Sequence, residues 1–469
     1  MNNLIMTISI CLFIVPLPVS GQAGQSNIQT GWKAGVARVN ITPQESMWMA
    51  GFGFRDKPSE GVTTDIWASV LALEDAKGHR AVLLAIDNAG IGKKLSDSIR
   101  AKLKTIYNLS KEQIEINSSH THTGPATSEG WGRDETQKEK IRKYAARLEN
   151  QVIEITGQAL SSLQPVKIFS GNGVVRFQVN RRNNIQYKLP LQEQFNGPND
   201  YTVPVIKVEK ASGDMLAVLF SYACHASMLR DYKFSGDYPA FARLELKKLY
   251  PGTTSLFFQG AGGDQIGYPR NTVQAARQAG KSLAAAVESV LSEPMQELSP
   301  SLSTSYAEIN LKSDRTIPPT KDELLKIVSN TSISDRVRNS AKEDLEKLSR
   351  GESLIQTYPY PVQVWKIGDL PLITLGGEPV VEYAKKLKLI FGQDAFVFGY
   401  SNDVMAYIST PLILNEGGYE GSFSPFSSYI TQGVRWAMDI EPMIIQEVLK
   451  LAKQVKVPMA TKKFAIPGG

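Results

Sequence analysis

Cysteine is almost absent from this 469-residue chain, which holds only Cys11 and Cys224. Cys11 lies in an apolar leader-like stretch, so cleavage there would leave one thiol and no internal disulfide. Stability must then come from a large core. Cys224 precedes His225, but a free cysteine is commonly a small buried residue and is read as one. No apolar run after the first is long enough to cross a bilayer, so no transmembrane segment is expected. The net charge of +6 is modest and its basic residues are scattered. No basic stripe is paired with aromatic platforms, which argues against nucleic acid. A Gly-x-Ser-x-Gly elbow, a His-Glu-x-x-His motif and a Walker loop are all missing. Gly260-Ala261-Gly262-Gly263 lacks the spacing of a dinucleotide fingerprint and reads as a tight turn. Histidine is scarce as well, with four residues.

What is present begins with Leu4 to Ser20, a mostly apolar run broken by Pro16 and Pro18. Small and polar residues, Gly21 to Gln25, follow it. Residues 1–25 are therefore expected to be a secretory signal peptide, although the start carries no Lys or Arg. The protein is expected to be exported, to a periplasm or to the medium. The remainder, 26–469, exceeds a typical single core. It shows no internal repeat, which favours one large domain with insertions.

Apolar runs alternate with helical patterns along this region. Ala81 to Ile86, Ile114 to Asn117, Met215 to Tyr222, Thr254 to Phe258, Leu372 to Leu375 and Phe396 to Gly399 read as strands. Gly92 to Asn108, Lys138 to Ser162, Tyr238 to Leu249, Asn271 to Leu291 and Thr431 to Val455 read as helices. Residues 318–350 are charged and read as an inserted helical hairpin. The alternation implies an α/β fold with a mainly parallel central sheet flanked by helices. Ala81 to Ile86 has the continuous apolar character of a buried parallel strand.

Three histidines follow such strands. His120 and His122 lie after Ile114 to Asn117, and His225 lies after Met215 to Tyr222. His79 sits in a polar turn and reads as surface. Asp264, Glu378 and Tyr407 also follow apolar strands. Loops at carboxyl ends of strands are where α/β sheets build their sites, and neutral imidazole is a common metal ligand. Residues i and i+2 of an extended segment share a face, so His120 and His122 could reach one centre. Two His and one Glu would suit a catalytic zinc, which keeps a position open for water or substrate. Asp87 could orient a histidine or cap a turn. Asp237 could act behind a ligand or cap the Tyr238 helix. Arg55, Arg182 and Arg270 could receive an anionic substrate group.

The ordered set Ser119-His120-Thr121-His122-Thr123-Gly124-Pro125, Tyr222-Ala223-Cys224-His225, Ser235-Gly236-Asp237-Tyr238-Pro239 and Gly262-Gly263-Asp264-Gln265 resembles the neutral/alkaline non-lysosomal ceramidase family. Asn40-Ile41-Thr42-Pro43, Gly51-Phe52-Gly53, Asn180-Arg181-Arg182, Gly376-Gly377-Glu378-Pro379 and Asn402 to Tyr407 extend the likeness. It spans roughly Gly31 to Gly421, the catalytic-domain portion. The resemblance implies a zinc amidohydrolase that cleaves an N-acyl bond by attack of zinc-bound water. It implies His120, His225, Glu378 and Tyr407 as ligands of Zn2+, with His122 at the reacting carbonyl or its oxyanion. Asp264 and Tyr407 join His122 as candidate catalytic residues. The implied partner is a small-molecule or lipid substrate.

Two features depart from the family pattern. Family members carry a Ser two residues after the Asp of the Gly-Asp motif, where this chain has Ile266. They also continue into a carboxy-terminal β-sandwich, which is not expected here. The expected substrate is therefore amide-linked but not restricted to ceramide. The alternatives are the same metal site acting on a carbohydrate or other polar conjugate, and a non-catalytic metal-binding protein.

Overall fold

Nearly every residue of the Ala81 to Ile86 run is buried, on both faces of its strand, and this sets the architecture. The computed structural model describes residues 31–182, 197–314, 319–333, 335–352, 354, 357–426 and 435–460. The expected signal peptide lies outside them. The main sheet contains β1 (Trp32–Asn40), β2 (Trp67–Glu74), β3 (Arg80–Ile86), β4 (Ile114–Ser118), β5 (Gln164–Val174), β6 (Thr202–Lys210), β7 (Met215–Tyr222) and β8 (Thr254–Gln259). Their spatial order is β8-β7-β6-β5-β1-β2-β3-β4, with Gln296–Glu297 added along β5. A second sheet has the order β9 (Leu302–Lys312), β10 (Thr357–Ile367), β11 (Leu370–Leu375) and β12 (Phe396–Phe398).

The main sheet is mixed and largely antiparallel, which corrects the expectation of a mainly parallel one. Within its path only β3–β4 and β7–β8 run parallel. The five other pairings are antiparallel. A continuous apolar run reports a strand covered on both faces, and a parallel sheet is only one way to achieve that. Here Val82, Leu84 and Ile86 face a core shared with α1 (Lys93–Tyr107) and α2 (Glu135–Ser161). Ala81, Leu83 and Ala85 face Trp365, Leu372 and Phe396 of the second sheet. Sheet packed on sheet leaves antiparallel strands as apolar as parallel ones.

The expected helices form, except that the one expected over Thr431 to Val455 starts only at Ile440, with residues 431–434 outside those described. In α2, the Asp134 side chain accepts from Gln137 N and caps the helix, and Ile141, Tyr144, Leu148 and Val152 make its buried stripe. On the far side α3 (Asp237–Leu249) packs against α4 (Val273–Leu291). Gly280 makes that approach close, since a Cβ there would stand 2.5 Å from Phe241 Cβ. The helical insertion is α5 (Lys321–Ser329) and α6 (Asp335–Ser349), with its own small core around Leu324, Ala341 and Leu354. It interrupts the long β9–β10 hairpin, whose register runs from Leu302↔Ile367 to Lys312↔Thr357. After β11 come α7 (Val381–Phe391), α8 (Pro411–Glu416), α9 (Gly418–Ser422) and the closing α10 (Ile440–Gln454).

One side chain explains how distant loops meet. β4 and β8 are opposite edges of the main sheet, yet Asn117 of β4 joins them. Its Oδ1 accepts from Gln259 N at 2.7 Å, and its Nδ2 donates to Gly399 O at 2.8 Å. The sheet thus curls until its edges meet, with the end of β12 against both. The carboxyl ends of β4, β7, β8, β11 and β12 open on one region.

Candidate metal centre

Four side chains from four separate segments converge there. His120 Nε2 lies 3.2 Å from Glu378 Oε2, and His225 Nε2 lies 3.1 Å from the same oxygen. The Tyr407 hydroxyl is 3.2 Å from His225 Nε2. Glu378 and Tyr407 are brought level by a short parallel pairing of Glu378–Pro379 with Tyr407–Ile408. His122 Nε2 stands 3.0 Å from His120 Nε2.

The outer nitrogens decide what faces inward. His120 Nδ1 contacts Ala89 O at 2.5 Å, and His225 Nδ1 contacts Gly262 O at 2.8 Å. A carbonyl can only accept, so both Nδ1 atoms carry a hydrogen, and in the neutral rings both Nε2 atoms offer lone pairs. Those lone pairs meet Glu378 Oε2, a buried oxygen with no hydrogen-bond donor. Two imidazole nitrogens, one carboxylate oxygen and one phenol oxygen form a donor set that fits zinc. Unprotonated acceptors packed this closely repel unless a cation lies between them.

Electrostatics agree. Burial holds the His225 imidazole down to about 4, so it is neutral near pH 7. Burial, aided by the neighbouring imidazoles, also holds His122 well below its ordinary value. Burial opposes ionisation of Glu378, and its carboxyl is held well below the usual range when positive charge, on the imidazoles or on an ion between them, lies against it. Burial pushes the Tyr407 phenol up, and the Glu378 charge adds to this.

The local backbone is strained where the site needs it. His120 has φ +58°, Tyr400 +53° and Asn402 +67°, a region non-glycine residues seldom adopt. Gly51, at φ +93°, leaves room for His122, because a Cβ there would stand 2.6 Å from the ring. Phe52 then packs edge-on against His122, with ring centres 4.6 Å apart. A cleft of about 1680 Å³ opens beside His122 and Tyr407.

Residues 32–260 match the model described as neutral/alkaline non-lysosomal ceramidase, N-terminal. Through that region, which is just under half of the chain, it is similar to the neutral/alkaline ceramidase family. A neutral ceramidase of Drosophila pseudoobscura pseudoobscura is 24% identical over 261 residues, which is 52% of this chain and 36% of the relative. The neutral ceramidase of Drosophila melanogaster is 23% identical over 256 residues, 51% of this chain and 35% of the relative. The matched region thus spans about a third of the length of these ceramidases. The solved neutral ceramidase from Pseudomonas aeruginosa shares the fold, with TM-score 0.68 at 17% identity, covering 92% of this chain and 76% of that one. A solved ceramidase complexed with C2 aligns with TM-score 0.68 and 16% identity, over the same shares of the two chains. At 92% coverage of this chain, the shared fold extends past residue 260.

The other sequence candidates have structural work. Asp264 lines the cleft, but its carboxylate accepts from Val381 N, Gln265 Nε2 and Asn180 Nδ2, which ties the turn to the start of α7. Asp87 pairs with Arg243 and accepts from Trp67 N, so it orients no histidine. Asp237 opens α3 and accepts from Leu229 N and Tyr238 N. Arg55 is buried and donates to Ala50 O and Asp231 O. Arg182 pairs with Glu416 and Glu420, while Arg270 lines the cleft. His79 is on the surface as expected, with its side chain 64% exposed. Cys224 is buried, and burial pushes its thiol well up, which suits a packing residue rather than a nucleophile.

Sequence reasoning did not single out Arg181 or Glu420. Arg181 lies over the Tyr407 ring at 5.4 Å and binds Glu420 at 2.5 Å. The Asn180-Arg181-Arg182 motif carried that signal, but its partner is more than two hundred residues away.

Asp403, in the motif that leads to Tyr407, offers a pH test. Its Oδ2 accepts from Tyr358 Oη at 2.7 Å, its Oδ1 has no partner, and burial pushes the carboxyl up to about 7. Between the ordinary value of about 3.9 and about 7, the unfolded chain ionises here and the folded chain does not. Native stability therefore falls as pH rises across that window, and the loss is complete above it. Asp403→Asn removes this dependence. Its unfolding free energy relative to wild type should rise from pH 4 to pH 7 by on the order of 1 kcal/mol per pH unit, then level off. A flat difference across that range would show that the carboxyl titrates normally.

Proposed function

We propose that this chain is an exported, zinc-dependent hydrolase that cleaves an N-acyl amide bond. The observation that carries the reading is the convergence of His120 Nε2, His225 Nε2, Glu378 Oε2 and the Tyr407 hydroxyl. Similarity to the ceramidase family through residues 32–260 supports the amide as the scissile bond. Export rests on the leader-like start. Among the described residues, no helix is long and apolar enough to cross a membrane.

His120, His225, Glu378 and Tyr407 would hold the zinc, which when bound would supply a water-derived nucleophile near neutral pH and polarise an acyl carbonyl. The chain's own residues do the rest. Ala89 O and Gly262 O take the Nδ1 hydrogens of His120 and His225 and so aim both Nε2 atoms at the centre. His122, wedged between Gly51 and Phe52, faces the cleft where the acyl oxygen would lie. A hydrogen bond from His122 to that oxygen strengthens as negative charge develops there. Arg181 backs the Tyr407 ring and limits its movement. The leaving amine takes up a proton on the cleft side, where Asp264 and Glu382 also stand.

The test combines metal analysis with a substrate panel of N-acyl amides, N-acylated sugars and glycosides. About one zinc per chain is expected. Amide hydrolysis should be lost on chelation and restored by zinc. Turnover of glycosides alone would replace the amidase reading. A protein that neither binds zinc nor is stabilised by it would sink the enzymatic reading altogether.

A further inference from the structure

Resting on the amidase reading, we infer that the substrate carries an anionic group, a carboxylate, sulfonate or phosphate, received by Arg133 and Arg230 beside the Phe52-Gly53-Phe54 loop. Both guanidinium groups line the cleft that reaches His122. Arg230 lies 5.4 Å from the centre of the Phe52 ring and 4.9 Å from that of Phe54. Arg133 lies 5.6 Å from the Trp48 ring, with only long contacts of 3.4 Å to Gly53 O and Arg55 O. Both residues are exposed, and among the described residues neither makes an ion pair with a carboxylate.

The rest of the cleft does not cancel their charge. On the opposite wall Arg181 and Arg182 are already neutralised by Glu416 and Glu420. At the mouth, α6 brings Arg338 paired with Asp335, and Lys342 with no ion pair among the described residues. Glu382 adds little negative charge, because burial and the nearby Asp264 push its carboxyl up to about 7. The wall around Phe52 is therefore left net positive and aromatic. A neutral amide offers those guanidinium groups only an uncharged carbonyl acceptor, whereas a planar or tetrahedral oxyanion matches both their charge and their paired donors. The faces of Phe52 and Phe54 can cover the apolar stretch next to the anion. Phe52 touches both His122 and Arg230, so the anionic group sits one aromatic ring away from the reacting bond.

The probes are ketone isosteres of N-hexanoyltaurine, N-hexanoylglycine and N-hexanoylethanolamine. A CH2 replaces the amide NH in each, so none can be hydrolysed. Their binding to the full chain is measured by calorimetry at low and high salt. Wild type should bind the two anionic isosteres about tenfold or more tightly than the neutral one, and salt should erode the difference. The sulfonate and carboxylate arms rank the two anions. Arg133→Gln with Arg230→Gln should abolish the preference, and Arg230→Lys should keep part of it. Unchanged melting curves would confirm that these exposed changes leave the fold alone. Equal affinities in wild type, no measurable binding of either anion, or a preference that survives the double change would overturn the inference. Anion preference without hydrolysis of any amide would uphold the subsite and remove the amidase reading. Hydrolysis of neutral amides without any anion preference would do the reverse.

Discussion

His225→Ala should empty the metal centre and lower amide hydrolysis by at least ~10³-fold while the chain stays folded. The imidazole is fully buried and touches two of the three other proposed ligands, Glu378 and Tyr407. Removing it leaves a donor set too small to hold zinc and leaves the Glu378 charge poorly compensated. The global fold should lose only about 1–3 kcal/mol, because several apolar clusters outside the site hold the sheets together. Elemental analysis, circular dichroism and an amide assay on one preparation separate these effects. His79→Ala is the control and should change neither metal nor rate, since that ring lies far out in an exposed turn. Full zinc occupancy in His225→Ala would show that the ligand set is wrong.

Glu420→Ala should cost about 3 kcal/mol of stability, an unusually large loss for one carboxylate. The Glu420 side chain is 3% exposed and binds Arg181 and Arg182 together. Its removal strands Arg181 against Tyr407 and Tyr419 with no counter-ion. The double change Glu420→Ala with Arg181→Met should be milder than the single one, since no charge is then left unpaired. Burial opposes ionisation of Glu420, but Arg181 and Arg182 hold its carboxyl below the ordinary range. Its contribution is thus full above the ordinary glutamate value of about 4.3 and is lost as pH falls through the lower folded value. The gap between wild type and Glu420→Ala, measured by melting, should be constant near neutrality and close in acid. A gap below about 1 kcal/mol at pH 7 would mean that Arg181 finds another partner.

The site was more legible in the sequence than the sheet that carries it. Each proposed ligand follows an apolar strand, and that local grammar survives whichever way the neighbouring strands run. Strand direction did not survive, because Ala81 to Ile86 looks the same under helices as under a second sheet. The β9–β10 hairpin was missed for two reasons. Pro359 and Pro361 break the pattern of β10, and the helical insertion separates the two partners. Asp264 was grouped with the catalytic candidates by its place after β8. The structure shows its carboxylate taken up by Val381 N, Gln265 and Asn180. The roles of Asp87 and Asp237 depend on partners distant in the chain, and no local spacing encodes those.

The Asn117 clasp ties metal loading to the order in which the chain is made. His120, His122 and His225 all emerge from a ribosome before Gln259, whereas Glu378 and Tyr407 come more than a hundred residues later. Until β12 arrives, Asn117 Nδ2 has no Gly399 carbonyl to hold. A nascent chain that stops near residue 260 therefore presents histidines without their oxygen ligands. On the proposed ligand set, tight metal capture would be a late event in biogenesis, and a bound ion would report that the distant carboxy-terminal strands have docked.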